Sequence, residues 1–349
     1  MSTSSNAKGD VGDADLVVAR EHEGMPADGF LRARLALSWG AARALIERGK
    51  VSVDGARLRV IDRRLREGEQ VQVRARAPRL DRAALDDAAI VHVDAHLVVA
   101  RKPVGLSTVP YDGAGGGMRA RAANKREAGE ELTFEDLVRR WLVRRAGHAP
   151  QASLGVVHRI DKETSGLLVF ARTFAAKKAL SQAFRVHAIE RRYVALVHGV
   201  IARAARFESF LLDDRGDGLR GSAKDARVGR AAGQHAVTHV APIALLSRDA
   251  GGDGASAIGC RLETGRTHQI RIHLAEAGHP LLGDRVYTRD RLRAGKVLIE
   301  APRLMLHADV LGFAHPITGE ALRFIDPVPD DMLAYARRLG GPGIDLDVG

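Results

Sequence analysis

Cysteine is almost missing from this chain: 349 residues carry one, Cys260. One thiol cannot close an internal disulfide, and no cysteine cluster exists to hold a structural zinc. A disulfide-stapled secreted fold is therefore excluded, and a cytoplasmic location is the expectation. Cys260 sits in the strand-like run Ala257-Ile258-Gly259-Cys260-Arg261-Leu262 and reads as a buried filler rather than a nucleophile. Long apolar runs are also absent. None approaches the roughly 18 residues that a membrane span needs, so no membrane partner is expected. The first thirty residues mix Ser, Asp, Glu and Gly without an apolar stretch, which argues against a secretory leader. Aromatic residues are scarce, with four Tyr and two Trp, so the place of each Tyr is informative. Acidic residues are outnumbered, 43 against 54 Lys plus Arg, for a net charge of +11 and a pI near 10.2. That excess suits a polyanion such as RNA or DNA, although charge alone leaves a merely basic soluble protein as an even alternative.

What is present bounds the architecture. An apolar fraction of 45% supports a sizeable core, and the length points to two domains. Residues 1 to about 27 are polar and predict a disordered tail. Beyond Gly29, the spacing of Leu31, Leu35, Leu37, Ala41, Ala42, Leu45 and Ile46 predicts two short helices, with Ser38 as a cap between them. Lys50-Val51-Ser52-Val53-Asp54-Gly55 predicts a strand running into an Asp-Gly turn, and Leu65 to Val73 a further short strand. This order over residues 28–75 resembles an S4 domain, a small RNA-binding module. The resemblance implies phosphate contacts from Arg32, Arg34, Arg43, Arg48 and Lys50. The alternative is a solvated face of a small structural domain. Where the S4 pattern carries Ser-Arg at the second helix, this chain reads Ser38-Trp39-Gly40. Residues 76–88 are charged and alanine-rich and read as a linker. A larger domain is expected from 89 to 337, with a tail over 338–349. It opens with two short strands, Ala89–Asp94 and Leu97–Ala100, then Lys102-Pro103-Val104-Gly105-Leu106, which alone is an ordinary tight turn. Residues 112–132, 212–233 and 248–255 read as surface loops.

The chemistry concentrates in Gly155-Val156-Val157-His158-Arg159-Ile160-Asp161-Lys162-Glu163-Thr164-Ser165-Gly166-Leu167-Leu168. An apolar strand, a turn and a second apolar strand place Asp161 at the rim of a sheet. A lone Asp there is ordinarily a turn or cap residue. The segment, however, resembles the signature of the RluA-type pseudouridine synthases, His-Arg-Leu-Asp followed by Thr-Ser-Gly-Leu-Leu. Two more segments are similar to motifs of that family: Thr264-Gly265-Arg266-Thr267-His268-Gln269-Ile270-Arg271-Ile272-His273, and Arg191-Arg192-Tyr193-Val194-Ala195 through Gly199. So are Lys102 to Gly105, with Arg101 where the family has Asn, then Leu306-His307-Ala308 and His315 to Glu320. The resemblance runs from about Ala89 to Met332.

It implies an α+β fold, a mixed and largely antiparallel sheet with a central cleft, preceded by the S4-like domain. It implies an enzyme that isomerises uridine in RNA without metal or cofactor. Asp161 would be the nucleophile, Arg266 its cationic partner, and Tyr193 the residue that stacks on the base and acts at the C5 proton. Arg159 would fill the gap left by a flipped base. His158, Thr164 and His268 would complete substrate binding, His158 being equally readable as a structural histidine. Thr267 would cap a helix running to Ala277, closed by Gly278 and Pro280, with Ile270 and Leu274 on its buried face. Ribosomal RNA is the favoured partner, transfer RNA the alternative, and a monomer the expected state. A kinase is disfavoured because Ile160 separates Arg159 from Asp161. A metal site at His268, His273 and His279 is disfavoured by spacing on a helix or a strand. A glycosidase would need a second flanking carboxylate, for which only Glu163 is near. The serious competitor is a non-catalytic RNA-binding or ribosome-assembly protein.

Overall fold

A computed structural model describes residues 13–47, 50–54, 56–58, 63–74, 85–110, 132–146, 154–216, 218–223 and 231–346. The chain divides into two compact units, Met1–Ala84 and Leu85–Gly349. Among the described residues no helix is long and apolar enough to cross a membrane.

The first unit holds strand β1 (Ala14–Val17), helices α1 (Ala27–Leu35) and α2 (Trp39–Glu47), and strands β2 (Val51–Val53), β3 (Ala56–Arg57) and β4 (Gln70–Val73). The strands form one antiparallel sheet in the order β1-β4-β2-β3. Alternation decides which side faces in: Val51 and Val53 are buried around Ser52, and they meet Phe30, Leu31 and Ile46 from the helices. The two expected helices are there, and Ser38 does cap the second, its Oγ accepting from the Ala41 N–H at 3.2 Å. The disordered tail does not hold from Ala14 onward. Ala14, Leu16 and Val18 alternate with polar or exposed neighbours, a period-2 signal masked by the polar composition, and β1 uses it to pair with β4. The expected strand from Leu65 begins only at Gln70, because a turn with Gly68 at φ +85° intervenes.

The second unit carries the larger sheet. Its strands are β5 (Ile90–Val93), β6 (Leu97–Lys102), β7 (Gly155–Val156), β8 (Ser165–Ala171), β9 (Glu190–His198), β10 (Ala205–Leu212), β11 (Gly221–Ser222), β12 (Gln234–Ser247), β13 (Ala255–Leu262), β14 (Leu306–Ala314) and β15 (Ala321–Ile325). The helices are α3 (Phe134–Ala146), α4 (Phe174–Arg185), α5 (Gln269–Glu276), α6 (Arg289–Arg293) and α7 (Asp330–Gly340). The strand order is β11-β10-β12-β13-β9-β14-β8-β6-β5, with β15 on β14 and β7 on β8. Among the described residues every pairing is antiparallel except β14 with β8. The mixed, largely antiparallel α+β architecture is thus the expected one.

All seven residues of β8 are buried because both faces are covered. Leu168 and Phe170 pack toward Phe134, Val138 and Leu142 of α3, while Leu167 and Val169 pack toward Ala176 and Leu180 of α4. Two boundaries shift. Leu85 is in the core and Trp141 Nε1 donates to Asp87 Oδ1 at 2.7 Å, so residues 85–88 belong to this unit rather than to a linker. The expected C-terminal tail is instead α7 and a segment packed as far as Leu346, which is 1% exposed against Leu246 and Met332. Of the expected loops, 112–132 lies almost wholly outside the described residues, 212–233 contains β11, and 248–255 contains a short 3-10 turn.

Candidate active site

Asp161 stands in the connection between β7 and β8, and three braces fix that connection. Ile160 is buried in the core, and its backbone is held at both ends by Thr108, whose Oγ1 donates to the Ile160 carbonyl at 2.9 Å and accepts from its N–H at 3.3 Å. The Lys102 ammonium, 1% exposed, donates to the carbonyls of Pro103, Leu106 and Lys162 at 2.9–3.1 Å. Burial draws Lys102 down to about 7, against the pull of the Asp161 and Glu163 carboxylates. Those three carbonyls match the three protons of the charged form, so the loop is built around an ammonium. Gly105 adds an N–H to Lys162 O at 2.9 Å. The Lys-Pro-x-Gly segment, in isolation an ordinary turn, is therefore a brace for the Asp161 loop. The third brace is the turn itself, with the Thr164 N–H donating to Asp161 O at 3.1 Å, after which Gly166 crosses β14 so closely that a Cβ would collide with Ala308 backbone.

The cation beside Asp161 is Arg271, not Arg266. Arg271 Nη1 lies 3.6 Å from Asp161 Oδ2. Its Nε and Nη2 bind Asp284 Oδ2 and Oδ1 at 2.7 and 3.0 Å, and its guanidinium sits 5.0 Å from the Tyr287 ring centre. Asp284 also accepts from the Val286 and Tyr287 N–H groups. Burial raises Asp284, but the bidentate Arg271 bond and its charge outweigh that and hold it lowered. Arg266 instead donates through Nε to the His235 carbonyl at 3.0 Å and is exposed. The reason is where the helix starts. α5 begins at Gln269, so Arg266 precedes its first turn, while His268 and Arg271, three residues apart, share one side. Thr267 is not the cap either. His268 holds that place in the left-handed region at φ 58°, and Gln269 does the bonding: its Oε1 accepts from Thr264 Oγ1 at 2.7 Å and from the Arg266 N–H at 3.0 Å. Ile270 and Leu274 are buried as expected, and Gly278 at φ +85° follows the helix end.

His268 Nε2 is 4.0 Å from Asp161 Oδ2, and its Nδ1 is 2.8 Å from the Tyr287 hydroxyl. Burial lowers His268 more than the nearby Asp161 raises it, and burial lifts the Tyr287 phenol to about 12. Tyr193, on β9, is 8% exposed, and burial pushes its phenol up to about 12, so it is protonated at neutral pH. Asp161, Tyr193, His268 and Arg271 line one cavity of about 390 Å³, together with Arg159, Thr164 and His158. Arg159 is exposed at this cavity. Thr164 is 2% exposed. His158 stacks on Phe184 with centroids 4.5 Å apart, and its Nε2 accepts from the Val169 N–H at 3.0 Å. Burial and the Arg191 charge lower it to about 3. It is neutral and ties the loop to β8 while also lining the cavity. Of the three histidines considered for metal, His273 bonds Thr238 and Ser209 and His279 bonds the His198 carbonyl, so neither joins His268 at the cavity. Cys260 is buried, and burial raises its thiol, in keeping with a filler.

In the first unit, Arg43 Nε donates to the buried Asp28 carboxylate at 2.9 Å. Arg32 and Arg43 both lie over the exposed Trp39 ring, at 5.1 and 5.7 Å. Lys50 is 9% exposed, which takes most of it out of a phosphate's reach, and Arg48 lies outside the described residues.

A carboxylate held beside a guanidinium, in one cavity with a neutral phenol, offers a nucleophile or ion-pair partner and a proton-transfer group. Residues 96–276, which contain all of these side chains, match the sequence profile of the family described as RNA pseudouridylate synthase. A ribosomal large subunit pseudouridine synthase D of Zymomonas mobilis subsp. mobilis is 39% identical over 249 residues, covering 70% of this chain and 70% of that protein. The protein of the same name from Xanthomonas campestris pv. campestris is 34% identical over 314 residues, covering 87% and 83%. Among solved structures, human RNA pseudouridylate synthase domain containing 1 shares the fold with a TM-score of 0.50 at 22% identity, covering 68% of this chain and 82% of that one. With this cavity, a profile spanning its ionisable residues and relatives matched over most of their length, the chain belongs to the RNA pseudouridylate synthase family.

Proposed function

We propose that this chain converts uridine to pseudouridine in large-subunit ribosomal RNA, with Asp161 as nucleophile. The observation that carries the reading is Asp161 at the rim of the cavity, 3.6 Å from a guanidinium and sharing the cavity with Tyr193. The ribosomal substrate is supported by the names of the relatives, which are large-subunit synthases. The Asp161 carboxylate bonds to C1′ as the C1′–N1 bond breaks and uracil leaves with the electron pair; the uracil turns, and its C5 attacks C1′, releasing the carboxylate. N1 must then gain a proton and C5 must lose one. Tyr193 starts as a phenol, so it gives its proton to N1 and, as phenolate, accepts the one from C5, which restores it. Arg191, whose charge favours the phenolate, stands two residues away on the same side of β9. Arg271 places its positive charge beside the Asp161 carboxylate, and Arg159 occupies the space of the flipped base. The first unit acts as an S4-like RNA-binding domain, and Arg32 and Arg43 are its candidate phosphate contacts. A monomer is the proposed state, and ribosomal RNA as substrate supports a cytoplasmic location.

The test is a map of pseudouridine in total RNA from cells with and without this protein, complemented by wild type or by Asp161→Asn. A ribosomal site lost on deletion and recovered only by wild type is the expected result. A lost site in transfer RNA would move the substrate. A site recovered by Asp161→Asn would remove Asp161 from the nucleophile's role.

A further inference from the structure

Arg191 has no place in the pairing of Asp161 with Arg271, yet it lines the same cavity, and it is buried at 7% exposure. Among the described residues no carboxylate forms an ion pair with it. Its Nη2 donates to the Glu263 carbonyl at 2.9 Å, its guanidinium lies 5.6 Å from the Phe184 ring centre, and its Nε is sealed from solvent without a partner. Gly265 leaves room for it, since a Cβ there would collide with Arg191 Nη1. A buried cation with one hydrogen-bonded donor is costly, and a fold that needed only packing here would use an apolar side chain. The surroundings sharpen the point. Among the described residues that line the cavity, Arg159, Arg185, Arg191, Arg266 and Arg271 face one carboxylate, Asp161, and that carboxylate is beside Arg271. The interior is short of negative charge, and a guanidinium fork matches two oxygens of a phosphate.

We propose that Arg191 anchors a backbone phosphate of the nucleotide whose base enters this cavity. Arg191 and Tyr193 point to the same face of β9, with backbones roughly 6.6 Å apart at about 3.3 Å per residue. A uracil on Tyr193 thus has its sugar-phosphate within reach of the guanidinium. The contact fixes the ribose against Asp161 while the base is detached and turning. Arg191 is then a phosphate-binding residue that positions the substrate, with Phe184 and Gly265 shaping its seat. This assignment rests on the reading of the cavity as the uridine site.

The experiment uses the full-length protein and has two arms. In the first, binding of uridine 5′-monophosphate is compared with that of uridine for wild type, Arg191→Met and Arg191→Lys, with thermal melting to confirm folding. Wild type should prefer the phosphorylated ligand, Arg191→Met should bind both alike, and Arg191→Lys should keep part of the preference. In the second, an RNA fragment carrying the mapped uridine is made with a neutral methylphosphonate at either flanking linkage. One of these should weaken wild-type binding about tenfold and leave Arg191→Met unchanged, and Arg191→Met should lower the slope of log affinity against log salt by about one. No preference of wild type for the phosphorylated ligand, or equal loss in wild type and variant, overturns the proposal. Failure of the ribosomal reading looks different: the RNA stays unmodified while the monophosphate still binds through Arg191.

Discussion

Arg271 serves two carboxylates at once, and that double duty sets what its replacement does. Asp284 is fully buried and takes both oxygens' worth of bonding from Arg271, while Asp161 meets the remaining nitrogen. Arg271→Met strands Asp284 in the interior, so we expect a loss of about 3–5 kcal/mol in urea unfolding along with loss of product. Arg271→Lys keeps a charge but has no fork, and should recover some stability with single-turnover rates still at least tenfold down. Equal stability of both variants and wild type would show that Asp284 finds another partner. Tyr193→Phe separates the two roles given to that residue. Stacking survives and the proton transfer does not, so RNA binding should hold within about twofold while turnover falls 100-fold or more. At this scale the motif resemblance pointed to Arg266 as the partner of Asp161, and the structure puts Arg271 there instead. His268 and Arg271 stand three apart, a helical spacing that was visible, yet its relevance depended on a helix start that Gln269 sets through bonds to Thr264 and the Arg266 N–H.

The element that orders the site is the β8–β14 crossing, the one parallel pair among the described strands. His307 pairs with Ser165 and Ala308 with Gly166, and Ser165 Oγ bonds His307 Nδ1 at 2.9 Å. Gly166 has φ +118° there and lies against Ala308 backbone, two separate reasons against a side chain. We expect Gly166→Ala to destabilise by about 2–4 kcal/mol. It should also cut activity beyond what the folded fraction explains, because the Asp161 turn ends at this residue. A folded, fully active Gly166→Ala protein would show that the loop is held by Lys102 and Thr108 alone. The strands on both sides of Asp161 were readable, since β8 is a near-continuous apolar run. The parallel partner was not, because nothing local in Ser165–Ala171 points to residues about 140 positions away.

At the scale of the molecule, two compact units divide the labour as proposed, and buried histidines set its response to acid. Deleting residues 1–84 should weaken RNA binding and flatten its salt dependence while the remaining unit still melts cooperatively. An unchanged salt slope would remove the first unit from RNA binding. His158, His198 and His273 are neutral in the fold, where burial takes them to about 3, 4 and 4. Unfolded, each takes a proton near 6.5. The unfolded chain therefore binds more protons below that value, so stability is kept above about pH 6.5 and declines as pH falls toward 4. Unfolding midpoints between pH 8 and 4 should show this fall, and His273→Asn should make it shallower. A profile flat to pH 4 would contradict the buried neutral state.

The sequence by itself determined the chemical inventory: a basic chain without disulfides, Asp161 in a strand–turn–strand segment, Tyr193 in a strand-like run, and glycines where turns are tight. These features are local, carried by period, turn chemistry and composition, so they survive without knowledge of the fold. Only the tertiary structure decided which groups meet. Asp161 faces Arg271 across 110 positions of chain, Lys102 closes on the carbonyl of Lys162, and Arg191 is left buried without a counter-ion among the described residues. Such meetings depend on how strands are ordered and where a helix begins. Those are settled by packing of the whole sheet against its helices, which no stretch of sequence contains.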